Sequence, residues 1–173
     1  MDTIFPGRYT AEIDKPFIVF LIGMRVNRLF AVRKWLRTAR AMNKMLRALQ
    51  THPEKGFMGG QAIRYRRGIG AIQYWRSFDD LERFARNPSE PHLEAWRHFN
   101  RTIGADGTVG FWHETYKVEP GKYEAVYGNM PVFGLAAVAK HVPATGRRET
   151  ARRRLGGESD PAVPSPVMPD VEP

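Results

Sequence analysis

The chain has no cysteine among its 173 residues. That excludes disulfide bridges, thiolate nucleophiles, cysteine-ligated zinc and iron–sulfur clusters. Long apolar runs are also missing. The longest, Phe17 to Met24, is far shorter than the roughly 20 residues a membrane span needs. Met1 to Gly7 holds no basic segment followed by an apolar run, so no signal peptide is read there. A soluble, cytoplasmic protein with no membrane span is expected. The sequence lacks H-E-x-x-H, G-x-S-x-G and G-x-G-x-x-G. His92 and His98 have the wrong spacing for one helical face, so no zinc site is expected. Gly56 to Gly60 and Gly68 to Gly70 lack the Gly-Lys-Ser/Thr ending of a phosphate loop.

An apolar fraction of 42% with 12% aromatic residues supports one domain with a real core. The formal net charge is +9. Basic residues cluster between Arg28 and Arg47 and again at Arg147, Arg148, Arg152, Arg153 and Arg154. Such a balance can serve nucleic acid or an anionic surface. No nucleic-acid module accompanies it, and the run Arg28–Arg47 reads as the solvated face of a helix. No nucleic-acid partner is expected.

The order of elements follows from periodicity. Gly7 to Ile13 alternates weakly and suits a short edge strand, closed by Asp14-Lys15-Pro16. Phe17 to Val26 is nearly continuous in apolar, β-branched and aromatic residues, as in a central strand covered on both faces. Asn27 can cap a helix from Arg28 to about Leu49, where Leu29, Val32, Leu36, Ala39, Met42, Leu46 and Leu49 recur at steps of three and four. The methionines there read as gap-filling core. Phe57 to Tyr65 and Ile69 to Trp75 form a hairpin, with a bulge at Gly59-Gly60. Ser77 caps the next helix, and Asn87-Pro88 ends it. Pro91 starts another, running to about Ile103. Val109 to Val118 is a strand. Lys122 to Tyr127 is a short extended piece, Gly128 to Gly134 an ordered loop, and Thr145 to Leu155 a marginal basic helix. This is a split βαβ plan: α+β, ferredoxin-like, with an antiparallel sheet. Residues 1–155 are one domain and 156–173 a disordered tail rich in proline. Helices cover one sheet face, and a second copy is expected on the other, giving a homodimer.

The densest chemistry lies in Val109–Val118. Val109, Phe111, His113, Thr115 and Lys117 share one face; Trp112, Glu114, Tyr116 and Val118 share the other. His113 therefore works apart from Glu114, or serves only as a structural histidine bonded to a backbone carbonyl.

The segments Gln73-Tyr74-Trp75-Arg76-Ser77-Phe78-Asp79-Asp80-Leu81, His92 to Phe99, Gly110 to Tyr116, Tyr123-Glu124 and Asn129-Met130-Pro131 resemble the DUF4188 family, grouped with fungal monooxygenase-like proteins. The resemblance runs from about Arg8 to Pro143. It implies membership of the dimeric α+β barrel superfamily, beside antibiotic-biosynthesis monooxygenases and haem-containing aldoxime dehydratases. A cavity is then expected on the sheet face away from the helices. Phe111, His113, Gln61, Gln73 and Trp75 would line it, with Trp112, Tyr74, Tyr116 and Asn129 shaping it. Two enzymatic readings follow. In the first, a monooxygenase-like enzyme without a cofactor acts on a small hydrophobic molecule, and His113 is the general base. In the second, the cofactor is haem, with His113 or else His92 as axial ligand and Arg64, Arg76 or Arg97 as partners of the propionates. A non-catalytic dimer that binds a small hydrophobic molecule is the third reading.

Overall fold

The computed structural model describes residues 2–87, 97, 101, 104 and 106–156. Of the helix expected from Pro91 to Ile103, Arg97 and Arg101 are described, both helical and exposed; the rest of it, with His92, and the tail from residue 157 lie outside the described residues.

The strands are β1 (Phe5–Glu12), β2 (Phe17–Val26), β3 (Phe57–Tyr65), β4 (Gly68–Trp75), β5 (Val109–Val118), β6 (Tyr127–Met130) and β7 (Lys140–Pro143), with helices α1 (Val32–Gln50) and α2 (Phe78–Arg86). Four strands form one antiparallel sheet in the order β3-β4-β2-β5. The fold is thus α+β and ferredoxin-like, as its pattern of elements implies. β2 is central because it is apolar on both faces. Its Ile18 and Phe20 pack with Leu46 and Leu49 of α1 and with Leu81 and Phe84 of α2. Its Met24 packs with Trp35, Ala39 and Met42 of α1. The alternate residues Phe17 and Val19 go to the other side.

That other side differs from expectation. A second sheet of the same chain, in the order β6-β1-β7, covers part of it. Phe17, Tyr74, Ile72 and Val118 pack there against Ala11, Leu135, Ala136 and Val138. The strand expected at an edge, Gly7 to Ile13, is instead the middle of this second sheet, paired with both β6 and β7. Three of the seven residues expected as a loop, Gly128 to Gly134, are strand, because β1 offers them a free edge. The expected basic helix at Thr145–Leu155 divides into two single turns, Gly146–Arg148 and Ala151–Arg154. Asn27 does not cap α1. Its side-chain oxygen accepts from Arg25, and the helix begins after Ala31.

Ser77 does cap α2, accepting from the Asp80 backbone N–H at 3.1 Å. Asp80 carries more than the helix start. Its buried carboxylate accepts from Arg76 Nε at 3.2 Å and from Arg83 at 2.9 Å. Arg76 also donates to the Glu54 carbonyl. Gly56, at φ 87°, lies so close that a Cβ there would meet Asp80 at 2.4 Å. Burial pushes the Asp80 carboxyl up, but hydrogen bonds from Arg76, Ser77 and Arg83 outweigh it and hold the pKa below the usual range. A carboxylate with a lowered folded pKa stabilises the fold above its unfolded pKa. That contribution is lost as pH falls through the folded value. Asp80→Asn is expected to cost about 1–3 kcal/mol in denaturant unfolding near neutral pH, with the gap to wild type closing as pH falls below the usual carboxylate range.

Candidate functional site

A cavity of about 470 Å³ lies between the four-stranded sheet and the two helices. Such a volume suits a small-molecule ligand. Phe20 and Ile22 of β2, Ile69 and Ala71 of β4, Met42 and Leu46 of α1, and Phe84 of α2 give it apolar walls. Ala39, Ala62, Ala71 and Ala85 leave the space open, since larger residues at those positions would fill it. Among the described residues Asn43, Arg64 and Gln73 are its polar lining residues, and Arg64 carries a charge.

Gln73 is the best-defined polar group. It is 7% exposed. Trp75 Nε1 donates to its side-chain oxygen at 3.0 Å. An indole N–H can only donate, so the amide oxygen must face it. The NH₂ end then points away from Trp75. It has no protein partner among the described residues and is not sealed from open space. The cavity therefore holds a buried, oriented donor within a largely apolar wall.

The cavity is on the helix side of the sheet, not on the face away from the helices. The register of β2 and β5 sets this. Ile22 stands opposite His113, and Met24 opposite Phe111, so both share the helix side with Gln73 and Trp75. The His113 ring is 5.6 Å from Phe20 and 6.5 Å from Phe111. It is exposed and borders the cavity through Phe20 and Ile22 rather than lining it. Trp75 is fully buried, between Phe57 and Phe84. It holds Gln73 and contributes no wall.

The other expected residues fall elsewhere. Trp112 lies on the opposite face, half-buried across the sheet. Its Nε1 donates to the Tyr65 hydroxyl at 2.7 Å, and that hydroxyl donates to the Met24 carbonyl at 2.6 Å. Gly23 permits this, for a Cβ there would meet Trp112 at 2.7 Å. Tyr116 is half exposed on the same face and donates to Glu114, whose carboxylate raises its pKa. Gln61 shares that face, opposite Ile72. Tyr74 meets the second sheet, where burial pushes its phenol up to about 12. Asn129 accepts from Gly7 N–H at 2.8 Å and adopts φ 52° in the second sheet, far from the cavity in the topology. Arg76 is committed to Asp80 and Glu54.

A family model described as Monooxygenase af470-like matches residues 17–135, a span that holds the whole four-stranded sheet and both cavity-lining helices. The chain belongs to the monooxygenase af470-like family. The family places it among monooxygenase-like proteins. No curated protein matches it. Among solved structures it is similar to an aldoxime dehydratase, with a TM-score of 0.63 and 16% identity over 83% of this chain and 45% of that one. The chain therefore spans less than half the length of that enzyme, and the likeness is one of fold. Two further structures are a variant of SnoaB, a cofactor-independent oxygenase from Streptomyces nogalater (TM-score 0.37, 17% identity, 61% of this chain and 94% of that one), and a dimeric protein of ferredoxin-like fold from Bacteroides fragilis NCTC 9343 (TM-score 0.44, 12% identity, 59% and 96%).

For this member of the monooxygenase af470-like family, sequence reasoning missed the α1 and α2 walls of the site. Met42, Leu46 and Phe84 carry only the signal of an amphipathic helix, which is the same for packed core and for a cavity wall. The small residues opposite them were the available clue.

Gln73→Glu keeps the acceptor that Trp75 needs and replaces the inward NH₂ by an oxygen. Followed by tryptophan fluorescence, this variant is expected to bind a naphthyl ketone about tenfold more weakly than wild type. Naphthalene itself should change by less than about twofold.

Proposed function

We propose that the chain is a monooxygenase-like enzyme that acts on a small hydrophobic molecule held between the sheet and the helices. The observation that carries this reading is the apolar cavity with Gln73 pinned in its wall. The substrate's apolar body would fill the space between Phe20, Ile69, Met42 and Phe84. Its oxygen atom would accept from Gln73. The reacting carbon would lie towards the Phe20 side, where His113 borders the cavity. His113 would remove a proton there, leaving an electron-rich carbanion for oxygen to attack. The resemblance to the DUF4188 family belongs to this reading, since Gln73–Leu81 and Gly110–Tyr116 lie inside the matched span. A cytoplasmic setting fits a chain without cysteine.

Trp112, Tyr65, Leu21 and Tyr116 stay partly open on the sheet face that the second sheet leaves uncovered. A second copy of the chain would cover them, as expected for a dimeric barrel. The substrate would then contact Gln73 but not Trp112, Tyr116 or Asn129, which hold the architecture.

Among the described residues no histidine lines the cavity, and Arg76 already has carboxylate and carbonyl partners, while Arg64 is in the lining and His92 lies outside the described residues. The lack of a lining histidine favours the reading without haem over the one with it.

His113→Ala is expected to lower turnover by about a hundredfold or more while the melting temperature stays at the wild-type value. Turnover equal to wild type would remove His113 from the chemistry. A Soret band formed on adding haemin, and shifted in His113→Ala, would replace this reading with the haem one.

A further inference from the structure

We propose that the outer face of α1, with the Leu29–Phe30 turn before it, docks on an anionic lipid bilayer. The charge pattern is the first observation. α1 contains no acidic residue. Arg33, Arg37, Arg40, Lys44 and Arg47 follow one another at steps of four, three, four and three, and all are exposed. They form a single stripe along the helix. At about 1.5 Å rise per residue it runs for about 21 Å. None of the five has an acidic partner among the described residues. The sixth base of the helix, Lys34, turns aside to Asp106.

The second basic cluster behaves differently, and the contrast locates the uncompensated charge. Arg148 is bound to Glu12 and Arg154 to Glu124. Those arginines clamp the end of the described chain onto β1 and the Glu124 segment. The α1 stripe does no such work. Like charges three and four apart repel and weaken the helix unless anions lie against them.

The second observation is apolar. Phe30 is fully exposed at 101%, beside Leu29 at 57% and Val32 at 47%. These three sit at one end of the stripe, between Arg28 and Arg33. The turn is built rather than slack. Trp35 Nε1 donates to the Leu29 carbonyl at 3.0 Å, and Ala31 N–H donates to the Arg28 carbonyl at 3.2 Å. The fold thus holds a phenylalanine out in water, at the end of a row of cations. Anionic headgroups match the cations, and the acyl boundary matches Phe30 and Leu29. A nucleic acid would use the stripe but offers nothing to Leu29 and Val32. The stripe faces away from the sheet, so it stays open whether or not two sheets pair. Trp35 also lines the cavity. A bilayer-dissolved ligand would then enter beside the turn, although docking itself does not depend on what the cavity does.

The test is cosedimentation of the full chain with phosphatidylcholine vesicles, with and without about one-third phosphatidylglycerol. Wild type is expected to sediment with the anionic vesicles at low salt, to be released by high salt, and to ignore pure phosphatidylcholine. Arg33→Gln/Arg37→Gln/Arg40→Gln and, separately, Phe30→Ser should each lower the partition about tenfold or more. These side chains are outside the core, and circular dichroism should show both variants folded. Failure of wild type to bind anionic vesicles would overturn the proposal, as would variants that bind like wild type. Loss with the arginine variant but none with Phe30→Ser, together with displacement by duplex DNA, would make the stripe a polyanion site and overturn the bilayer assignment.

Discussion

A strand with a neighbour on each side has two faces, and β2 must bury both. Its Cα register with β4 runs from Ile18 to Arg25, and with β5 from Phe17 to Val26, so no edge remains. Ile18, Phe20, Ile22 and Met24 look towards the helices. Phe17 and Val19 look towards the second sheet. A slip of one residue would exchange the two sets and destroy both cores. Every position in the candidate site inherits its side of the sheet from this one register. His113 lies beside Phe20 because it stands opposite Ile22. Trp112 lies over Gly23 because that glycine has no side chain to meet it.

The helix side is packed unevenly, and that unevenness makes the cavity. Near α2 the layer is dense, with Trp75 fully buried against Phe57 and Phe84. Further along, small residues on the sheet face small residues on the helices, and the space between them is not filled. Apolar walls that meet no protein atoms across the space leave dispersion contacts unmade within the chain. A bound apolar molecule would restore them. The dense end also sets the polar element of the site, since Trp75 dictates which way the Gln73 amide faces. The buried indole is thus a positioning residue for the Gln73 donor.

Much of the architecture could be read from the chain alone. The uninterrupted apolar character of Phe17–Val26 marked a central strand, the Arg66-Arg67 turn marked a hairpin, and Ser77 marked a helix start, because each depends on local chemistry. The side of the cavity was not legible. Alternation says that Phe111 and His113 share a face, but it cannot say which face the helices cover. The second sheet was also missed, because β6 and β7 are four residues each and carry little periodicity of their own. They are strands because β1 lies between them. Gln73 was legible as a candidate, and its orientation was not, since that rests on a hydrogen bond from the residue two positions along. Asn129 was expected at the cavity as a polar contact. Its actual task is to accept from Gly7 and tie β6 to β1.

The account stands on one claim: the ligand site is between helices and sheet. The most direct measurement is a set of nuclear Overhauser contacts between a bound aromatic probe such as naphthalene and assigned methyl groups of the full chain. The account predicts contacts to Ile22, Met42, Leu46 and Ile69. Contacts to Leu21 and Met58, on the opposite face, with none to those four, would contradict it.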